Sequence, residues 1–494
     1  MTDFEGLDVA QLLIDGKLVD AEHGATYDNI NPATEEVIGQ AADGSSADVE
    51  SAIVAARRAF ETTAWRNDVE LRVRCLRQLQ AAMLAHADPF VAMTVAEVGL
   101  PSMIAPSSGL SSPVEAMGWV ADFLETYEFE TDHGIGGDGS LRSRRWVERE
   151  AMGVVACIVP WNQPTQVTLA KVAPALAAGN AVVLKAPPTT PWVAAALGKL
   201  VAEHTDIPPG IFNVITSSAN TRGEELVVSP EVDLISFTGS SAVGRHIMKL
   251  AADTVKKCFL ELGGKSAAIL LDDADFTTAL QFPSFLVCVH GGQGCATLSR
   301  LLLPRARFDE GVQTAAAIMS VIPYGDPTVP TNVMGPLNSA SHRARVEGMV
   351  DRARDAGATV VLGGRRPPQF ERGYYYEPTL LTGLPEDAEI VRNEVFGPVL
   401  VALPYDDDDD AVRIANDSVY GLSGAVYSGD HERSKAVARR IRAGTMIVDG
   451  GLWHGPDVPF GGYKQSGLGR ENGRLGFEEY LEVKTLAEPA PLSA

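Results

Sequence analysis

The sequence predicts an α/β protein with two tandem domains, each built on a parallel sheet, and a small β-hairpin projecting from them. Three observations carry this reading. Short apolar runs alternate with longer helical patterns between residues 150 and 262, and the same alternation resumes after Lys265. Between them in character, but earlier in the chain, lies a polar, glycine-rich stretch from about Phe123 to Arg149 that follows neither pattern. At 494 residues the chain exceeds what one core organises, and 45% apolar with 21% charged residues is the balance of a globular protein.

In order, GVVACIVPW reads as a buried strand and TLAKVAPALAAG as a helix closed by Gly179-Asn180. AVVLK is the next strand, and PWVAAALGKLVAEH a helix entered through Pro191. IFNVI, DLISF and KCFLEL continue the strands, with GEELVV and AVGRHIMKLA as helices between them. Such βαβ alternation implies a parallel sheet covered on both faces. SAAILL, RLLLP, ATVVLGG, PVLVALPY and GTMIVDG supply a second set of strands. The stretch Phe123–Arg149 reads as a hairpin, and the tail has strand character around Tyr480–Thr485. Neither has an apolar face broad enough for a core of its own.

Charge and composition exclude several functions. Acidic residues outnumber basic ones, 64 to 41, for a formal charge of −23, a field that repels nucleic acid. No apolar stretch is long enough for a membrane span. The start, MTDFEGLDVAQLLIDG, lacks the basic region and apolar core of a signal peptide, and the five cysteines form no CxxC pair. Free thiols and a cytoplasmic location are expected, with no metal site. The run Asp406–Asp410 reads as an acidic helix start, with a calcium site as the alternative that the missing EF-hand spacing disfavours.

Four motifs carry candidate chemistry. In HGGQGCATLSR, glycines leave backbone amides open around Cys295, where they could hold an oxyanion beside a thiol nucleophile. In FLELGGKS, Glu261 ends an apolar strand; desolvation there raises a carboxyl towards the range of a general base. In VPWNQP, Asn162 lies just beyond another strand, where ligand sites of open α/β sheets gather. SFTGSSAVG runs from strand to helix with Gly239 and Gly244 about the turn, a place for phosphate, although it is neither a GxGxxG nor a Walker loop. Each has a bland alternative: a buried thiol, a surface Glu, a turn Asn, a plain helix cap.

Together, VPWN, FTGS, FLELGGKS, GGQGC and NEVFGPV stand in the order and spacing of the aldehyde dehydrogenase superfamily, which the chain resembles from about Leu12 to Thr485. INPATEEVIG, AVVLK and PFGGYKQSGLGRENG agree. The resemblance implies NAD(P)-dependent oxidation of an aldehyde to a carboxylic acid through a thiohemiacetal and a thioester on Cys295. It also implies an oxyanion held by Asn162 and the Cys295 N–H, and a deacylating water activated by Glu261. Lys171 and Glu471 match positions that support proton movement, though surface ion pairing accounts for them equally. For the cofactor, Trp161, Lys185, Gly239, Ser240, Gly244, Leu262, Glu394 and Phe396 match the residues that hold the dinucleotide.

Three residues depart from the family pattern. Pro188 replaces the glutamate that binds the adenosine ribose in many NAD-preferring members, so NADP stays open beside NAD. His290 stands where many relatives have Asn, and Gly294 where a larger residue is usual. Gln163 replaces an aromatic residue, Trp453 and His454 lead into PFGG, and no arginine adjoins Cys295, which favours a neutral aliphatic or aromatic aldehyde. Alternatives are a CoA-acylating dehydrogenase, a cysteine hydrolase pairing Cys295 with His290, and a catalytically silent structural protein on this fold. The expected division is residues 1–122 and 147–260 for a Rossmann-like cofactor domain, with 451–479 returning to it, and 261–450 for the catalytic domain. Residues 123–146 and 480–494 are expected to join copies of the chain into a homo-oligomer, tetramer ahead of dimer.

Overall fold

The computed structural model describes residues 9–138, 141–452 and 454–490. Two large sheets organise the chain. The first has eight strands in the order Gly467–Leu468, Lys257–Glu261, Leu234–Thr238, Val154–Ile158, Ala181–Lys185, Phe212–Ile215, Leu12–Ile14, Lys17–Val19. The five central strands are parallel, and antiparallel strands close both edges. These are the β-rich apolar runs of the sequence, buried along their lengths as a sheet covered on both faces requires. From Val154–Ile158 the chain proceeds outward to one side through Ala181–Lys185 and Phe212–Ile215, then returns to the other side at Leu234–Thr238. That reversal opens a crevice beyond the carboxyl ends of Val154–Ile158 and Leu234–Thr238. Asn162 and Ser240 follow those two ends.

The second sheet has seven strands in the order Thr359–Leu362, Thr379–Thr382, Val399–Tyr405, Leu298–Pro304, Ser266–Leu270, Ser423–Tyr427, Thr445–Val448, parallel except for the first pair. The two-residue period of a strand divides its core. Ala267, Ile269, Val401 and Leu403 pack in one apolar cluster, whereas Ala268, Leu270, Leu400 and Ala402 pack in another on the opposite face. Glu261 ends the first sheet's strand and Ser266 begins the second sheet's, so the link Leu262–Lys265 crosses between the two bodies. The Asp run behaves as a helix start: Asp407 caps Asp408–Asn416 by accepting from the Asp410 N–H.

The projecting hairpin is shorter than the sequence suggests. Phe123 belongs to the helix Ser112–Thr126, because Val114, Met117, Ala121 and Leu124 continue a buried helical stripe up to its end. The hairpin proper pairs Glu130–Gly136 with Ser143–Ala151, and Leu481–Pro489 adds a third antiparallel strand. Its foot is fixed by rings: Phe123 stacks on Trp119, and Phe123, Tyr127 and Phe129 surround Phe477. Tyr480 is also not part of the projecting tail. It is fully buried, its hydroxyl hydrogen-bonds Ser236, and its carbonyl accepts from Asn180 Nδ2. The last residues of the predicted tail, 491–494, lie outside the described residues.

Candidate active site

The link between the sheets brings the candidate groups together. Cys295 lies in the turn between the short helix Val289–Gly292 and the strand Leu298–Pro304, at the amino end of the second sheet. Glu261 and Asn162 come from the carboxyl ends of the first. All three line one cavity of about 400 Å³, together with Thr238 and Glu471. Gly264 is required here by contact: a Cβ on it would press on the Cys295 carbonyl oxygen.

The local wiring is specific. Asn162 Nδ2 donates to the Gln293 carbonyl at 2.8 Å, and His290 Nε2 lies 3.0 Å from the Asn162 carbonyl oxygen. His290 thus braces the asparagine and does not pair with the thiol, which removes the support for a Cys–His hydrolase. Burial lowers its imidazole to about 4, so at neutral pH the ring is uncharged. Gln293 in turn donates to the His290 carbonyl and accepts from the Asn338 N–H, so the loop before Cys295 is locked from both sides.

Electrostatics separate the acidic groups. Glu261 is 1% exposed, and among the described residues no protein group hydrogen-bonds either of its carboxylate oxygens. Burial, then the neighbouring Glu471, pushes its carboxyl well above the usual range, with Lys171 and Arg470 opposing. The Cys295 thiol is raised for the same reasons, burial first and then the glutamates Glu261, Glu394 and Glu471, while the residue as a whole is only half-buried. Lys171 and Glu471 form a buried pair, Nζ to Oε1 2.8 Å, so the surface reading of these two residues is corrected. The lysine ammonium also lies over the Phe259 ring, 4.7 Å from its centre.

The profile of the aldehyde dehydrogenase family matches residues 18–486. The chain belongs to the aldehyde dehydrogenase family. It is 39% identical to 3-succinoylsemialdehyde-pyridine dehydrogenase of a Pseudomonas species over 97% of this chain and 98% of that one. It is 37% identical to betaine aldehyde dehydrogenase of Bacillus subtilis over 96% of each chain. Among solved structures, a mutant aldehyde dehydrogenase C of Pseudomonas syringae complexed with NAD+ and octanal superposes with a TM-score of 0.92, at 38% identity and 98% coverage of both chains. An aldehyde dehydrogenase of Mycobacterium tuberculosis complexed with NAD+ gives 0.94, at 36% identity, covering 98% of this chain and 99% of that one.

In this aldehyde dehydrogenase the residues predicted for a dinucleotide spread from the first sheet to the second. Lys185 ends the strand Ala181–Lys185, buried, with Nζ donating to the Ala186 carbonyl at 2.7 Å; burial lowers it to about 8. Ser240 caps the helix Ser241–Ala251 by accepting from the Val243 N–H, and Gly244 packs so closely on Leu262 that a Cβ would strike it. Gly239 turns where a Cβ would enter the Phe237 ring. Glu394 accepts from the Gly264 N–H at 2.9 Å, occupies space that a Cβ on Gly263 would fill, and is raised to about 7, chiefly by burial. Phe396 adopts φ of 56°, its ring edge-on to Trp161 at 5.5 Å, and its carbonyl lies 2.7 Å from His342 Nε2. A cation, a helix N-terminus, a carboxylate and two rings are the partners a dinucleotide needs, so the residues fit the group.

Sequence reasoning missed the cavity's other wall. The helix Ser112–Thr126 supplies Met117, Trp119 and Val120 to it, and Gln166 and Thr238 line it too. The helical spacing of that wall was a usable signal; nothing local marks Gln166. Trp453 lies outside the described residues, while His454 lines the cavity.

Proposed function

We propose that the protein oxidises a neutral aldehyde to the carboxylic acid with NAD, through a covalent intermediate on Cys295. The observation that carries this reading is Glu261: a buried carboxylate unanswered by any described protein donor, lining the same cavity as Cys295. A group kept in that state is disposed to take a proton.

Cys295 Sγ, its proton released to solvent, adds as the thiolate to the aldehyde carbon. The carbonyl oxygen becomes an oxyanion that accepts from Asn162 Nδ2 and the Cys295 N–H. Lys185, the Gly239–Ser240 turn with its helix N-terminus, Leu262, Glu394, Trp161 and Phe396 hold the dinucleotide. When bound, the oxidised nicotinamide supplies the acceptor for the hydride lost by the former aldehyde carbon. Glu261 then takes a proton from the water that attacks the resulting thioester; the carbon–sulfur bond breaks, the acid leaves and the thiol re-forms. The buried Lys171–Glu471 pair stabilises charge beside Glu261 and offers the proton a way out. A CoA-acylating role has no need of Glu261 as base.

NAD is favoured by the neighbours complexed with it, and the resemblance leaves Pro188 where a ribose-binding glutamate is common. Free cysteines and the absence of a membrane-length helix among the described residues support a cytoplasmic site of action. The three-stranded projecting sheet, exposed along Glu130–Gly136, offers an edge for a second copy, in a closed homo-oligomer, tetramer ahead of dimer. The two sheets support the division into cofactor and catalytic segments, and the projecting strands Glu130–Gly136, Ser143–Ala151 and Leu481–Pro489 support an oligomerisation segment. Cys295→Ala tests the central claim. Reduction of NAD by aldehyde is abolished while calorimetric NAD binding persists; an active Cys295→Ala protein overturns the proposal.

A further inference from the structure

The cavity wall changes character along its length. One stripe of the helix Pro164–Ala177 and its preceding residue faces the cavity: Gln163, Gln166, Val167, Ala170 and Pro174, the spacing of a single helical face. The two glutamines stand at the end where Asn162 reaches the loop of Cys295; Pro174 lies about 16 Å further along the axis. The opposite helix adds Ser112, Pro113, Ala116, Met117, Trp119 and Val120, all but the serine largely apolar. Amide and imidazole groups are therefore concentrated beside the reacting thiol, and the far wall is mainly apolar, with Ser108 and Ser112 as its hydroxyls.

The polar groups there are unusual for a pocket meant to hold only hydrocarbon. Gln163 Oε1 is buried and has no hydrogen-bond partner among the described residues. Gln166 Nε2 meets His454 Nε2 at 3.2 Å, and burial lowers the His454 imidazole below its ordinary value. All three side chains are then neutral at neutral pH. Among the described lining residues there is no lysine or arginine to meet a carboxylated substrate. Of the two acids, Glu471 is already paired with Lys171, and Glu261 is held high by burial.

We infer that Gln163, Gln166 and His454 form a subsite for a hydroxyl group, so that the preferred substrate is an uncharged aldehyde hydroxylated close to its reacting carbon and apolar beyond it. This deepens, and rests on, the dehydrogenase reading. A hydroxyl both donates and accepts. It answers Gln163 whichever way the amide is turned, and it extends the Gln166–His454 pair. An alkyl group in the same place leaves the Gln163 carbonyl oxygen unpaired, which is the larger part of the discrimination.

Two readouts separate the failure of the subsite from the failure of the reaction. The first is NAD reduction by the wild-type protein with propanal against 2-hydroxypropanal, butanal against 3-hydroxybutanal, and with succinic semialdehyde and betaine aldehyde. The second is binding of the same aldehydes to Cys295→Ala, followed by quenching of tryptophan fluorescence, since Trp119 lines the cavity. The hydroxylated member of each pair is expected to have about tenfold higher kcat/KM and tighter binding, and the two charged aldehydes to be poorer than either. Gln163→Leu inverts the ratio by raising kcat/KM for the plain alkanal; Gln163→Asn, which keeps the amide, restores part of the preference. Turnover without hydroxyl preference, or a preference for either charged aldehyde, overturns the subsite and leaves the dehydrogenase standing. Hydroxyl-selective binding with no NAD reduction by any aldehyde overturns the dehydrogenase and supports the subsite. Binding without selectivity overturns the subsite.

Discussion

Two glutamates buried in different parts of the molecule have the same accessibility and opposite surroundings. Glu97, on the helix Ala87–Val98, is 0% exposed; Glu261, at the floor of the cavity, is 1% exposed. Glu97 accepts from Asn29 Nδ2 at 2.9 Å and from the Trp192 and Val193 N–H groups at 3.0 and 3.1 Å. Those two amides open the helix Trp192–His204, whose own N-terminal residue supplies no side-chain cap. Glu97 thus closes a helix end from a distant segment and ties three elements together. Glu261 closes nothing. Burial raises both carboxyls, Glu97 to about 7, so titration alone does not tell the acid that caps a helix from the one proposed as the base. Hydrogen-bond satisfaction does: one carboxylate is answered, and the other has no hydrogen-bond donor among the described residues.

The sharpest test of that difference is turnover. Glu261→Gln is expected to lose about 10²–10⁴-fold in steady-state rate while keeping a burst of reduced cofactor, because the amide takes no proton from the deacylating water. Glu97→Gln keeps its steady-state rate per folded molecule. Rapid-mixing kinetics on the two variants decide it, and an equal loss in both removes the distinction. The pH profile follows the same division. With its carboxyl held high by burial and by Glu471, Glu261 becomes a competent base only as pH rises, so kcat climbs with pH. In Glu261→Gln that limb is expected to flatten.

Stability should run the other way. Glu97→Ala strands two helix amides and Asn29, at a cost of about 3 kcal/mol in chemical denaturation. Glu261→Gln removes a buried acid that has no partner and is expected to be neutral, or to stabilise by up to about 1 kcal/mol. Glu261→Gln costing as much as Glu97→Ala breaks the comparison. Stability is also expected to slope with pH. The Glu97 carboxyl is raised in the fold from 4.5 to about 7, so the native state holds its proton longer than the unfolded chain. Its contribution is complete below pH 4.5 and is lost as pH rises to about 7, about 3 kcal/mol in all. Denaturation midpoints measured across that range are expected to fall less steeply in Glu97→Gln.

What the sequence disclosed and what it hid have physical causes. A run such as Ala181–Lys185 is apolar on both faces and reads as a central strand wherever it lies. Cys295, Glu261 and Asn162 sit within a few residues of glycines or strand ends, so local sequence announces them. The Lys171–Glu471 pair, 300 positions apart, looked like surface charge because only packing makes it a buried ion pair. The meeting of Gln166 with His454, 288 positions apart, is equally invisible along the chain. The helix around Phe123 was obscured by the glycines that follow it, which belong to the hairpin tip and not to the helix. Glu97 is silent in the sequence: a carboxylate capping another segment's helix leaves no mark in either segment.

The late segment Gly467–Leu481 has a consequence for biosynthesis. Gly467–Leu468 pairs with the edge strand that ends at Glu261, Glu471 meets Lys171, and Tyr480 fills a hole beneath strands made more than two hundred residues earlier. On the ribosome, the first large sheet therefore emerges without its edge and with an open gap in its core. It waits for nearly the whole chain before it closes. The thiol, the unanswered carboxylate and the buried lysine come into register only then, so a nascent or prematurely ended chain exposes an unfinished apolar floor to chaperones and proteases before it has a working site.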